Sequence, residues 1–395
     1  MHKKILEDIA TYLQSSASAR TYQDIGLLGG LGGQLLFLWQ LNKQHPQMLR
    51  ETFFHEQLTL IQQSLPQLQR QASFAYGLSG LAWLLDLLNL EQSGADYDAS
   101  YCDELDKCIL HQLNQTNKAL ATEFMSGLSG IAVYGVRRFE RANKTAIADA
   151  VLRQIENQAH KVSPESLSWS RPQEPLPASG DTLAAKVEFD LGLAHGMVSV
   201  LAALTALAQV PDCRASAKKL LSAGCNWLLA QTLPSKGFTS SYGNFSGKDE
   251  DSRLGWCYGD LGIALTLARA GTLLKDESLI KHAKTLALNA AKRTAPGKPV
   301  IDAALCHGSS GISLLFLRLY QLLKITTLKE AADYWYRDCL QRYQANKLSG
   351  LMPFDPQSKS YQQSSGLLNG YAGIGLYLLY YQQADNSWLD ALLLA

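Results

Sequence analysis

The sequence predicts an all-α protein built as a closed ring of helix pairs, and three observations carry that reading. A Gly-x-x-Gly step, relaxed once to Gly-x-x-Ser, recurs seven times along 395 residues. Each step opens an apolar run with almost no polar face, the mark of a helix buried on most sides. Between the steps lie more polar stretches with apolar residues three and four apart, as on a helix that covers a core from one side.

In chain order the apolar runs are "GGLGGQLLFLWQL" from Gly29, "YGLSGLAWLLDLL" from Tyr76, "SGLSGIAVYGV" from Ser126, "HGMVSVLAALTAL" from His195, "YGDLGIALTLARA" from Tyr258, "HGSSGISLLFLRL" from His307 and "NGYAGIGLYLLYY" from Asn369. Their first glycines, Gly30, Gly77, Gly127, Gly196, Gly259, Gly308 and Gly370, stand 47 to 69 residues apart, room for two helices and their loops. Stretches such as "DELDKCILHQLNQ" and "DESLIKHAKTLALNAAKR" supply the outer layer. An interior glycine costs a helix about 1 kcal/mol against alanine, so a step repeated this often answers a packing need. Strand signals are sparse. Neither end carries a distinctly polar capping repeat, which favours a closed ring over an extended stack. The expected unit is one domain over residues 1–395, with irregular segments near 163–181, 234–253 and 349–366 that are candidates for a substrate-facing rim.

Bulk properties narrow the class. With 47% apolar and 18% charged residues the chain can bury a sizeable core. A net charge of +1 gives no footing for nucleic acid or an anionic membrane. The opening "MHKKILEDIATYLQ" lacks the apolar core of a secretory signal, and no segment reaches the roughly 18 apolar residues of a membrane span. The expected location is the cytoplasm. Seven cysteines, an odd number at irregular spacings, argue for free or metal-bound thiols over a disulfide framework.

Superposing the repeats isolates the chemistry. Just before the first glycine stand Gly29, Tyr76, Ser126, His195, Tyr258, His307 and Asn369; one position earlier stand Leu28, Ala75, Met125, Ala194, Cys257, Cys306 and Leu368. Taken singly, a buried cysteine is usually a small hydrophobe, and a histidine beside glycine is usually a cap or core residue. Their shared phase changes the weighing. On a ring, equivalent positions lie at one pole, so Cys257, Cys306, His307 and His195 converge. Two thiolates and one imidazole make a Cys₂His set that binds Zn²⁺ and leaves a fourth position open, as catalytic zinc requires. Such an ion would hold a substrate thiol deprotonated at neutral pH. Cys102, Cys108, Cys213, Cys225 and Cys339 lack this placement and read as structural.

The motifs "LGLAHG", "WCYG" and "CHG", with the seven glycine steps spread over residues 30 to 373, resemble the lanthionine cyclases of lantibiotic biosynthesis and their LanC-like relatives. The resemblance implies an α/α toroid of seven inner and seven outer helices with one Zn²⁺ at its end. It implies an enzyme that adds a peptide cysteine thiol across the double bond of dehydroalanine or dehydrobutyrine, closing a (methyl)lanthionine thioether ring. By motif, Cys257, Cys306 and His307 are the zinc ligands, His195 the general acid or base, and Arg253 and Tyr258 active-site residues. Glu123, in "EFMSGLSG", stands where the family typically has Asp. Its extra methylene and the serine at Ser199 are the two departures from the pattern. The implied partners are a dehydrated precursor peptide, a separate dehydratase and an export transporter; no dehydratase-sized region is expected within the chain.

Other readings stay open on sequence alone. A LanC-like protein that adds glutathione or another thiol to dehydroamino acids would use the same site. A non-catalytic, zinc-containing peptide-binding module would need a closed, four-ligand site. An α/α-barrel glycosidase needs two carboxylates, for which Glu123, Asp190 and Asp260 are the candidates. A zinc dehydrogenase lacks its dinucleotide fingerprint here.

Overall fold

The computed structural model describes residues 1–16, 25–68, 71–93, 96–115, 119–169, 189–234, 236–294, 300–383 and 385–395. Among them the helices are α1 (His2–Ser16), α2 (Leu31–Gln44), α3 (Phe53–Ser64), α4 (Leu78–Ser93), α5 (Asp103–Leu113), α6 (Leu128–Ala142), α7 (Ala146–Asn157), α8 (Met197–Leu207), α9 (Arg214–Leu229), α10 (Asp260–Leu274), α11 (Glu277–Ala291), α12 (Ser309–Leu323), α13 (Thr326–Asn346) and α14 (Tyr371–Gln383). The even-numbered helices are the seven apolar runs, and each packs on the next around a ring that α14 closes against α2. The odd-numbered helices pack outside their partners, with α1 covering α14, so the first and last helices clasp each other. The architecture is an α/α toroid with an inner and an outer layer.

The layers differ as the pattern requires. In α8 every residue except Ala206 is buried, whereas in α7 the buried set is one face, with Ile147, Val151 and Ile155 among it. A helix hidden on most sides has no use for a polar stripe.

The glycine step has a steric reason. A Cβ at Gly311 would stand 1.8 Å from the carbonyl oxygen of Leu305, six residues earlier, where the loop doubles back against the first helical turn. The same contact would be 1.9 Å at Gly80 but relaxes to 3.4 Å at Gly262. In the fourth repeat Ser199 takes this place, and its hydroxyl donates to the Gly196 carbonyl at 2.7 Å. The serine therefore fits without removing the loop that carries His195.

Residues two positions ahead of the first glycines tie the repeats into a hoop. Leu28 N–H donates to Ala75, Ala75 to Met125, Ala194 to Cys257, Cys257 to Cys306, Cys306 to Leu368, and Leu368 back to Leu28, at 2.9 to 3.3 Å. At the remaining junction the Met125 N–H turns instead to the Glu123 carboxylate, at 2.9 Å. One residue earlier in each repeat, Leu27, Phe74, Phe124, Leu193, Trp256, Leu305 and Leu367 are all buried and form an apolar floor beneath the hoop.

The connections vary. β1 (His160–Ser163) and β2 (Ser166–Ser168) form a hairpin, and the rest of the 163–181 segment beyond residue 169 lies outside the described residues. The 234–253 segment is irregular, with Asp251 accepting from the amides of Thr239 and Ser240 at 2.7 Å. The 349–366 segment carries a second hairpin, β3 (Phe354–Asp355) with β4 (Ser360–Tyr361). Among the described residues no helix is long and apolar enough to cross a membrane.

Candidate metal centre

Two of the hoop residues are the cysteines singled out by phase. Cys257 ends the loop before α10. The Trp256 and Cys257 amides both donate to the Cys306 carbonyl, at 2.7 and 3.3 Å. On the other side the Cys257 carbonyl accepts from Leu193 and Ala194, at 2.9 and 3.3 Å. Neither cysteine backbone can shift without breaking these links. The turn from Tyr258 into α10 passes through Gly259 at φ +101°, a left-handed conformation that glycine adopts without the Cβ penalty.

The side chains meet as well. One ligand atom each from Cys257, Cys306 and His307 lies within 4.8 Å of the others, and Cys257 Sγ is 4.0 Å from His307 Nδ1. Ligands bound at 2.0–2.3 Å in a tetrahedron stand about 3.5–3.8 Å apart, so a metal ion requires only a small inward movement. The donor set, two thiols and an imidazole, suits zinc. A hydrogen bond from Cys306 pulls the Cys257 thiol well below the ordinary thiol range against the effect of burial, with the charges of His307 and Arg253 assisting. That same pairing, with burial, pushes Cys306 well above it. The pair thus gives up one proton readily and holds the second.

His195 stands at the same pole but outside the ligand trio. Its Nδ1 lies 3.0 Å from Glu123 Oε2, whose other oxygen accepts from the Ser126 amide at 2.7 Å and the Ser126 hydroxyl at 2.6 Å. Burial pushes the Glu123 carboxyl up, but hydrogen bonds from His195 and Ser126 outweigh it and leave the group below its ordinary value. The longer glutamate side chain reaches the histidine. Arg253 is exposed and shares with His307, Arg293, Ile301 and Phe354 a cleft of about 490 Å³. Tyr258 directs its hydroxyl to Asp190 Oδ2, donating at 2.7 Å.

The carboxylates a glycosidase would need are otherwise engaged. Asp190 Oδ1 accepts from the Gly192 amide at 2.8 Å. Asp260 accepts from the Ser241 and Tyr242 amides, with burial pushing its pKa up to about 6.

Superposition at the two glycine-adjacent positions misses Asp302. This buried carboxylate holds the amides of Ala304 and Phe354 at 3.0 and 3.1 Å, and its Oδ2 lies 3.9 Å from His307 Nε2. The signal was available four positions farther upstream: Asp190, Arg253 and Asp302 each stand six residues before a first glycine.

A family model described as lanthionine synthetase C-like protein matches residues 21–394. A solved structure of a nisin cyclase is similar over 99% of this chain and 97% of its own, with a TM-score of 0.71 at 19% identity. At that identity the likeness speaks for the fold.

Proposed function

The chain belongs to the lanthionine synthetase C-like family, and from that premise we propose that it is a zinc-dependent lanthipeptide cyclase, forming (methyl)lanthionine rings by intramolecular addition of cysteine thiols to dehydroamino acids. The observation that carries this reading is the meeting of Cys257, Cys306 and His307 at one pole of the toroid. Zn²⁺ held there would supply Lewis acidity that keeps an incoming cysteine sulfur deprotonated at neutral pH.

The chain's own residues take the remaining roles. As the sulfur bonds to the β-carbon of the alkene, negative charge develops on the neighbouring carbonyl oxygen. In this reading Arg253, a cation that lines the same cleft as His307, stabilises that oxygen. The α-carbon then needs a proton. His195 has Nδ1 committed to Glu123, which leaves Nε2 as the nitrogen that delivers it. Glu123 orients the ring. Tyr258, hydrogen-bonded to Asp190, braces the turn that follows Cys257. The proton lost from the thiol is balanced by the one gained at carbon.

The substrate in this reading is a dehydrated peptide made by a separate dehydratase. Purified, zinc-loaded protein incubated with such a peptide should consume free thiols without changing the peptide's mass. Unchanged thiols would refute the cyclase reading. Thiol addition seen only with glutathione, with the corresponding gain in mass, would support the intermolecular alternative instead.

A further inference from the structure

Of the seven floor residues beneath the hoop, Trp256 alone carries a hydrogen-bonding side-chain atom. A buried indole N–H needs an acceptor. Trp256 Nε1 donates at 2.8 Å to the carbonyl of Leu392, more than a hundred residues later in the chain. Leu392 ends a short 3₁₀ turn, Leu389–Leu392, and Leu393 and Leu394 follow it, all buried save the half-buried Asp390.

This segment is held from below. Arg269 Nη1 and Arg318 Nε donate to the carbonyls of Leu393 and Leu394, each at 2.9 Å. Both arginines stand ten residues past their helix-capping glycines, about 15 Å down the inner helices from the metal-centre pole. The segment therefore links side chains rooted in the far half of two inner helices to the indole.

From Trp256 the contacts divide. Its amide bonds the Cys306 carbonyl, and its next neighbour is Cys257. Its ring meets Phe124 edge-on, at 5.7 Å and 72°, and Phe124 adjoins Glu123. One residue thus touches the loop of each half of the site, through its amide on one side and its ring on the other. We infer that Trp256 is a positioning residue, locked by the C-terminal segment, that fixes the spacing of the two cysteines and the height of the Glu123 loop beside them. The inference rests on the reading that Cys257, Cys306 and His307 hold Zn²⁺.

Two substitutions test it. Trp256→Phe keeps an aromatic edge against Phe124 and removes the N–H. Arg318→Lys weakens the anchor of the segment at a distance from the site. Zinc affinity is measured by competition with a chelator, the ligand geometry by the absorption bands of the Co²⁺-loaded protein, and the fold by far-UV circular dichroism. Trp256→Phe should bind zinc about 10-fold or more weakly and shift the Co²⁺ bands, as outer-shell changes do. Arg318→Lys should show a smaller loss in the same direction, with both variants folded. A wild-type protein that binds no zinc would overturn the metal reading itself. A wild type that binds, with Arg318→Lys and any folded Trp256→Phe matching it in affinity and spectrum, would overturn the positioning role alone.

Discussion

Glu123 Oε2 lies 3.0 Å from His195 Nδ1 across the one junction where the backbone hoop gives way to a side chain. The carboxylate serves both purposes: it receives the Met125 amide that would otherwise continue the hoop, and it aims the imidazole. Glu123→Gln should reduce turnover about 10- to 100-fold through misorientation of His195, with KM little changed. The carboxyl is depressed in the fold, so it contributes stability that is complete above its ordinary pKa and lost as pH falls through the folded value. Denaturant titrations should give a wider gap between wild type and variant at about pH 7 than at about pH 3. An equal gap at both would contradict the assignment.

The metal reading predicts a selective effect of cysteine substitution. Cys306→Ala should leave less than about a tenth of an equivalent of zinc after gel filtration, because a ligand is gone from a three-residue set. Cys339→Ala is the control: Cys339 is equally buried but sits in α13 against Ser310, and its variant should retain wild-type zinc. Elemental analysis of the two proteins decides.

Arg253→Gln should lower kcat by about 100-fold if the cation meets charge that exists only in the transition state, and should leave zinc content unaltered. Arg253→Lys should recover part of the rate. Equal loss in kcat and in peptide binding would instead make Arg253 a docking residue.

Glycine positions should differ in a way the ring explains. Gly311→Ala forces a methyl to within 1.8 Å of a carbonyl oxygen and should cost more than about 3 kcal/mol, or prevent folding. Gly262→Ala meets its nearest neighbour, Leu193 Cβ, at 3.3 Å. Its helix-propensity gain of up to about 1 kcal/mol offsets the crowding, so the net change should be small. Thermal unfolding of both variants gives the comparison.

The fold was legible because a toroid writes its period into the chain. Most inner helices need a glycine where the loop doubles back, and most present an apolar surface nearly all round, so the repeats are visible without coordinates. Cys257, Cys306 and His307 were legible for a related reason: phase in the repeat translates directly into height along the ring axis. Asp302 escaped because it acts from a position farther upstream, where repeats carry side chains as different as Gln71, Ala121 and Ser364. The tie between Trp256 and Leu392 was hidden altogether. It joins a repeat residue to a backbone carbonyl that belongs to no repeat, and no periodicity announces such a partner.

The link from Leu368 back to Leu28, with α1 clasping α14, means that the toroid is completed by segments from opposite ends of the chain. Contacts so distant in sequence must close a long loop before they are rewarded, and form slowly. During synthesis α2 must wait for α14 to emerge before the circle shuts, and until then the flanks of the growing arc leave apolar helices exposed. Such nascent arcs are natural clients for chaperones, and truncation anywhere before α14 should yield aggregation instead of a smaller closed ring.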